Sequence, residues 1–196
     1  MEEQIVVLKI RSHGPPDPKG RPYSKRVAAA MGWQLRDYGY CVARASGVEA
    51  VSTAMKAVAI CNHRTQAVSV TLCVEAELDR IEPGKPDMVV QMTIHEVDFQ
   101  KPEKMRPYRI SGQGDLDNKL VQSLLRPIHA GDGISMSCIG PNAVYRATLA
   151  FINARSMLLP QIQAVMVPTW ESILDKNQTP LSLIRLDVWG HPFEKA

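Results

Sequence analysis

The sequence has few aromatic residues and no long apolar run. Aromatic residues make up 6% of the 196 positions, and no segment approaches the roughly 20 consecutive apolar residues that a membrane-spanning helix requires. The first residues, "MEEQIVVLKIRS", are acidic where a signal or transit peptide would be basic. We therefore expect no membrane insertion, and a location in the cytoplasm or in another reducing compartment.

Reactive cysteine pairs and metal-binding motifs are also missing. The four cysteines have no C-x-x-C spacing and fall inside apolar patterns, which predicts buried free thiols. The five histidines form no metal-ligand spacing, and there is no Walker-type loop, serine elbow or pair of catalytic carboxylates. The sequence thus predicts a protein that is not an enzyme and that holds no metal and no cofactor.

The net charge of +3 is too small to indicate nucleic-acid binding by itself, but the charge is unevenly distributed. Residues 1–64 carry ten basic and five acidic side chains, whereas residues 65–98 carry two basic and seven acidic ones. This pattern indicates a local basic patch on a protein that is not strongly basic overall. Five of the ten basic residues lie near the N-terminus: Arg11, Lys19, Arg21, Lys25 and Arg26.

An internal repeat is the clearest pattern that is present. The segments "GVEAVSTAMKAVAIC" (residues 47–61) and "GPNAVYRATLAFINA" (residues 140–154) share five residues when aligned without gaps at an offset of 93. A chance alignment at average composition gives about one identity over this length. The same offset aligns the apolar i, i+4, i+8 stripes of the two preceding helices, which indicates a duplication.

Each copy has the pattern of an α+β unit, β-α-β-α-β-β, whose two helices lie on one face of its sheet. We expect a first domain at residues 1–98, a linker at 99–107 and a second domain at 108–196. Small residues recur at helical spacing in the second helix of each copy, which favours close packing over a ligand site. Gly47 and Gly140 begin these helices, where a sharp turn favours positive φ.

The segments "KRVAAAMGWQLRDYG", "CVARAS" and "GVEAVSTAMKAVAIC" resemble the stage V sporulation protein S family, which is similar in fold to the Alba nucleic-acid-binding proteins. The second copy keeps "IGPNAVYRATLAFINAR", with Arg155 as a closing arginine. The resemblance implies two Alba-like domains in tandem, and contacts with nucleic acid from basic residues of the first loop and neighbouring strands. The candidate nucleic-acid-binding residues are Arg11, Lys19, Arg21, Lys25, Arg26 and Lys56.

The loop at residues 12–26 is the best candidate site. Its prolines keep the cations apart, and Lys25 and Arg26 lie in the first turn of a helix, where a cation is unfavourable for helix stability. A merely solvated loop is the alternative. In the second copy, the equivalent loop "SGQGDLDNK" favours helix capping by Asp115 or Asp117 over a phosphate cradle. We therefore expect nucleic-acid contacts to be made by the first copy.

An apolar stripe distinguishes the second helix of the second copy. Positions that have a solvated pattern in the first copy become Tyr145, Leu149 and Ile152 at the offset of 93. Because exposed apolar clusters mark interfaces, we expect these residues to contact a protein partner or a second chain. The alternative is that the first copy covers them within the same chain.

Three functions remain open from the sequence. The leading hypothesis is a non-enzymatic protein that binds RNA or DNA through the basic first loop. The alternative is a structural or assembly subunit of a larger complex, in which the Alba-like surfaces are protein interfaces. A third hypothesis is a metabolite sensor that uses the cleft between the domains.

Overall fold

The computed structural model describes residues 6–15, 17–66, 70–79, 88–114, 118–174 and 178–193. The same order of elements occurs twice along the chain. The first copy contains β1 (Val7–Ile10), α1 (Tyr23–Tyr38), β2 (Tyr40–Ser46), α2 (Gly47–Thr65), β3 (Leu72–Asp79) and β4 (Val89–Glu96). The second contains β5 (Met105–Ile110), α3 (Asn118–His129), β6 (Gly133–Cys138), α4 (Pro141–Leu158), β7 (Ile162–Leu174) and β8 (Pro180–Pro192).

The order β-α-β-α-β-β that the sequence predicts is observed in each copy, and the α+β class is confirmed. Gly39 caps the C-terminus of α1, and its φ of 77° lets its N–H donate to the carbonyl oxygen of Leu35. Gly47 and Gly140, at the starts of α2 and α4, have φ values of 78° and 81°. The prediction of positive φ at these two glycines is therefore confirmed, and a side chain at either position would be strained.

The prediction of two separate Alba-like domains, each with its helices on one face of its own sheet, is wrong. The described strands form one mixed sheet of eight, in the order β1-β2-β4-β3-β7-β8-β6-β5. β3 and β7, the inner strands of the two copies, pair with each other in antiparallel orientation. This pairing satisfies backbone groups that two separate sheets would leave unpaired along these edges, which is the physical reason for a single sheet.

We call the β3–β7 junction the seam. Because equivalent strands meet there as antiparallel neighbours, a pseudo-twofold axis perpendicular to the sheet relates the two copies. α2 packs against α4 and β7, and α4 also contacts β3. Each of these helices thus lies partly over a strand of the other copy, and one hydrophobic core continues across the seam.

Close packing explains the small residues of α2 and α4. Small side chains allow helix axes to approach each other and the sheet closely. Larger apolar side chains such as Met55, Phe151 and Met166 are fully buried around them, and each contributes about 1.5–3 kcal/mol through burial. The small residues with no exposed surface include Ala50, Ala54 and Ala57 in α2 and their equivalents Ala143, Ala147 and Ala150 in α4.

The crossover segment, residues 97–104, connects β4 to β5. The strand order places five strand spacings of about 4.8 Å between them, or about 24 Å. The nine Cα–Cα steps from Glu96 to Met105 reach about 30 Å when extended, so the segment crosses the sheet with little slack. Met105, inside the range 99–107 that the sequence assigned to a linker, already begins β5.

The crossover segment lies on the face of the sheet opposite the helices. Val97 and Phe99 pack against a second, smaller cluster of buried residues that includes Val165 and Trp189. The Phe99 ring meets the Trp189 ring edge-on with centroids 6.4 Å apart, and it stacks on His191 at 5.4 Å. These contacts give the segment an apolar anchor of its own.

A buried carboxylate provides the polar anchor of this segment. The Asp187 side chain is only 4% exposed, and Lys101 Nζ and Ser135 Oγ each donate a hydrogen bond to it at 2.6 Å. Arg185 Nε lies 3.6 Å from the same carboxylate. A buried charge is tolerated only where it is paired and hydrogen-bonded, so Lys101 fixes the segment to β8.

We predict that Lys101→Ala lowers the free energy of unfolding by about 1–3 kcal/mol, because the buried Asp187 carboxylate loses its closest cation. Urea denaturation measures this change. Lys104→Ala is the matched control, because Lys104 belongs to the same segment. Its ion-pair partner Asp132 keeps a second cation, Arg106, so the stability of this variant should not change measurably. Equal stability of Lys101→Ala and the unmodified protein would contradict the assigned role of Lys101.

Candidate nucleic-acid interface

The basic first loop is organised around Asp17. The Asp17 carboxylate accepts hydrogen bonds from the Lys19 backbone N–H at 2.9 Å and from Arg21 Nε at 2.8 Å. The Gly20 N–H donates to the Asp17 carbonyl oxygen at 2.8 Å, which closes a turn. The hydrogen bond from Arg21, followed by that from Lys19, lowers the pKa of Asp17. The loop therefore has a defined structure that depends on one acidic residue.

The first turn of α1 holds the loop in place. A Cβ atom added at Gly14 would lie 2.1 Å from the Tyr23 ring, so the loop backbone lies directly against that ring. Arg26 Nη2 donates to the Pro15 carbonyl oxygen at 2.5 Å, and the Arg26 guanidinium lies 5.2 Å from the Tyr23 ring centroid. The Arg11 N–H donates to the Tyr23 hydroxyl at 3.4 Å. These contacts keep the loop on α1.

The structure divides the candidate cations into two groups. Arg21 is ion-paired with Asp17, and the half-buried Arg26 reaches the same carboxylate at 4.0 Å. The other three loop cations are exposed, and no described residue forms an ion pair with them: Arg11, Lys19 and Lys25.

Lys56 lies apart from this group. It is half-buried in the middle of α2, and no hydrogen bond or ion pair joins it to the loop within the described residues. The five loop cations thus lie on the first loop and the adjoining first turn of α1, whereas Lys56 lies on a different helix.

The equivalent loop of the second copy is held by an arginine instead of an acid. Arg146 of α4 donates hydrogen bonds to the carbonyl oxygens of Ser111 at 2.6 Å and Gln113 at 2.5 Å. Asp115 and Asp117, which the sequence assigned to helix capping, lie outside the described residues. The Arg146 guanidinium thus holds this loop against α4.

The proposed apolar interface on α4 is largely covered within the chain. Leu149 is 9% exposed and Ile152 is 6% exposed, while Tyr145 is half-buried against the main core. α4 contacts α2 and β3 of the first copy, so a partner could not reach Leu149 or Ile152 without opening the core. The expectation of a solvated face at the equivalent positions of α2 is wrong, because Ser52 and Ala59 are fully buried there.

A polar cluster at the seam was not found from the sequence. Glu75 of β3 accepts hydrogen bonds from Gln163 Nε2 of β7 at 2.9 Å and from Arg155 Nη2 of α4. Asn62, at the position equivalent to Arg155, donates to the carbonyl oxygens of Leu72 and Pro168, each at 2.9 Å. Both helices thus bond across the seam. The closing arginine of the repeat was the one signal in the sequence that pointed here.

His95 adds a cation to this cluster. His95 Nδ1 lies 2.8 Å from the Glu96 carbonyl oxygen, and Nε2 lies 3.3 Å from Glu75 Oε1. Both neighbours are acceptors, so the protonated ring, which has two N–H donors, satisfies both contacts. The nearby Cys73 thiol and the hydrogen bond with Glu75 raise the pKa of His95 above its ordinary value. The hydrogen bond from His95, then Gln163 and Arg155, lower the pKa of Glu75 to about 2.

The neighbouring cysteine, histidine and glutamate have the residue types of a nucleophilic triad but not its geometry. The Cys73 sulfur lies 3.7 Å and 3.8 Å from the two ring nitrogens of His95, so it does not point along either N–H direction. Cys73 has no exposed surface, and a nucleophile must reach its substrate. The cluster is therefore suited to joining the copies.

The prediction of buried free thiols is confirmed for all four cysteines. Burial raises the pKa of Cys41 and of Cys138 to about 12 and that of Cys61 to about 11, which keeps these thiols protonated and unreactive.

Among the described residues, no group of three His, Cys, Asp or Glu side chains is placed to hold a metal ion. No helix in the described part of the chain has the length and apolar character needed to cross a membrane.

No protein-family model matches the chain, and no curated protein matches it. The resemblance to the stage V sporulation protein S family therefore continues to rest on the quoted residues. The nucleic-acid binding that it implies stays a prediction.

We predict that the seam cluster stabilises the fold most strongly between about pH 4.5 and 6.5. The pKa of Glu75 lies below its ordinary value of 4.5, so its contribution is present above pH 4.5 and is lost as the pH falls towards 2. The pKa of His95 lies above its ordinary value of 6.5, so its contribution is present below pH 6.5 and is lost as the pH rises through that raised pKa.

Urea denaturation between pH 3 and pH 9 tests this prediction. Glu75→Gln should flatten the pH dependence of the free energy of unfolding at both the acidic and the basic end. The substitution removes the Glu75 carboxylate, which titrates at low pH and is also the partner of His95. Glu77→Gln is the control, because Glu77 lies two residues further along β3 and is exposed. If Glu75→Gln keeps the pH profile of the unmodified protein, the cluster does not have this role.

Proposed function

We propose that the protein is a non-enzymatic nucleic-acid-binding protein that contacts the phosphate backbone through the first loop. The observation that carries the proposal is the exposure of three cations, Arg11, Lys19 and Lys25, on a loop that Asp17 and Tyr23 hold in a defined shape. A preorganised group of cations contacts phosphates with less loss of conformational entropy than a mobile loop would.

The small net charge is consistent with a local contact of this kind. A protein with a charge of +3 has no large positive field, so its affinity must come from a few cations that lie close together. Phosphate contacts position a protein without reading sequence. The proposed ligand is therefore RNA or DNA bound mainly by its backbone, and not by base-specific recognition.

We predict that Lys19→Ala/Lys25→Ala weakens binding to a short mixed-sequence duplex and reduces its salt dependence. Each phosphate that the variant no longer binds should lower the slope of log K against log salt by about 0.9 between about 50 and 200 mM salt. Fluorescence anisotropy of the labelled duplex measures both quantities. These two side chains have no ion pair within the described part of the chain, so the fold should be unaffected.

Arg36→Ala/Arg64→Ala is the matched control. It removes the same charge from exposed positions on α1 and α2, distant in sequence from the loop. Binding that is absent at low salt, or that the loop variant and the control variant weaken equally, would show that the loop is not the contact.

A role as a structural or assembly subunit is the second candidate, favoured by exposed aromatic and aliphatic side chains. Trp33 is 60% exposed and Tyr38 is 58% exposed, both on α1. On the β7–β8 hairpin, Trp170 is 45% exposed and Leu174 is 59% exposed. Exposed groups of this size are common in protein interfaces.

Sedimentation velocity tests the assembly role. If the exposed residues of the hairpin form an interface between chains, the protein sediments as an oligomer, and Trp170→Ser/Leu174→Ser returns it to the monomer. Trp33→Ser on α1 serves as the control for loss of exposed apolar surface elsewhere. A concentration-independent monomer would leave self-association without support.

A further inference from the structure

The outer edge strands of the two copies, β1 and β5, differ in how far a helix covers them. In the first copy α1 packs on β1, and Leu8 is packed against the main core. In the second copy α3 packs on β6 and β8, and four consecutive residues of β5, Arg106 to Arg109, are exposed. When Ile10 and Ile110 are aligned as the buried ends of these strands, Tyr108 takes the position of Leu8. The second copy therefore leaves open a surface that the first copy covers.

This open surface is a groove of about 610 Å³ between β5 and α3, which we call the α3–β5 groove. Tyr108, 42% exposed, contributes to its β5 side. Its basic lining residues are Arg106, Lys119 and Arg126, its neutral polar ones are Asn118, Gln122 and Ser123, and no acidic residue is among the described lining residues.

The basic residues of the groove differ in their availability. Arg106 donates two hydrogen bonds to Asp132, at 2.9 and 2.6 Å, and is therefore largely neutralised. Lys119 and Arg126 are exposed, and no described acidic side chain pairs with them. Asp115 and Asp117, which precede α3 in the sequence, lie outside the described residues.

The spacing of Lys119 and Arg126 suits a linear polyanion. They are seven residues apart on α3, which places them on one face of the helix about 10.5 Å apart along its axis. Gln122 and Ser123 lie between them on that face, with side chains that donate and accept hydrogen bonds. The row of α3 side chains therefore faces the Tyr108 side of the groove with two cations and neutral hydrogen-bonding groups.

We propose that the α3–β5 groove binds a single-stranded nucleic acid, with a base stacked on Tyr108 and phosphates contacted by Lys119 and Arg126. Cations beside an exposed aromatic ring are the combination that binds single strands with little sequence preference. A base within a duplex is stacked on its neighbours and cannot also stack on the ring. The proposal rests on the proposed function only for the class of ligand, since it uses a different surface on the other copy.

Anisotropy of a labelled short oligothymidylate, which forms no secondary structure, tests the proposal. Lys119→Ala/Arg126→Ala should weaken binding at least tenfold and lower the salt slope by about 0.7 for each phosphate that the variant no longer binds. Tyr108→Ala should weaken binding at least fivefold, whereas Tyr108→Phe, which keeps the aromatic face, should bind as the unmodified protein does. Lys9→Ala/Arg44→Ala, which removes two exposed cations from paired positions of β1 and β2, is the charge-matched control and should change binding little.

The comparison with the duplex separates this proposal from the first-loop site. Tyr108→Ala should leave duplex binding unchanged, because a paired base does not stack on the ring. If only Lys19→Ala/Lys25→Ala weakens oligothymidylate binding, the groove proposal is overturned and the first-loop site stands. If only the groove variants weaken binding to both ligands, the first-loop site fails and the single-strand preference fails with it. Absence of binding to both ligands at low salt overturns both sites.

Discussion

The contact between β3 and β7 is the interaction on which the rest of the structure depends. Its registered backbone pair is Val74 and Met166, and equivalent positions of α2 and α4 reinforce it with different chemistry. Asn62 bonds to backbone carbonyl oxygens on both sides of the seam, whereas Arg155 bonds to the Glu75 carboxylate. The helices reach these partners because small residues allow them to lie close to the sheet and to each other. Without the seam, both half-sheets would expose an apolar edge strand.

Local structure could be predicted from the sequence because its causes are local. The bounds of α1 follow from apolar periodicity and a terminating glycine, and the turns at Gly47 and Gly140 follow from backbone sterics. The joining of the half-sheets was missed because β3 and β7 have the same alternating pattern whether their outer edges pair or face water. Strand order is a non-local property, and the pattern of a single strand does not contain it.

The candidate sites likewise include features that local sequence predicts and features that depend on contacts between distant elements. Clustered charge in the sequence identified the first loop, but Asp17, which gives the loop its shape, is a single acidic residue among many. Glu75 and His95 occupy polar positions of strands, where a solvent-facing side chain and a seam contact have the same pattern. Tyr108 was not predicted as a site residue, because its exposure depends on the position of α3, which the sequence of β5 does not determine. Each omission concerns a contact between elements that are distant in the chain.

The crossover segment changes what the seam is required to do. Two free subunits that form a stable dimer usually bury about 1,200–2,000 Å² between them, and identical subunits must do so with identical surfaces. A short covalent connection makes the association intramolecular, at an effective concentration on the millimolar scale. The seam can therefore be weaker than a dimer interface, and each copy is free to change its side of it alone. Asn62 bonds to backbone carbonyl oxygens of both strands, whereas Arg155 at the equivalent position bonds to the Glu75 side chain. A symmetric dimer of identical chains could not acquire this difference.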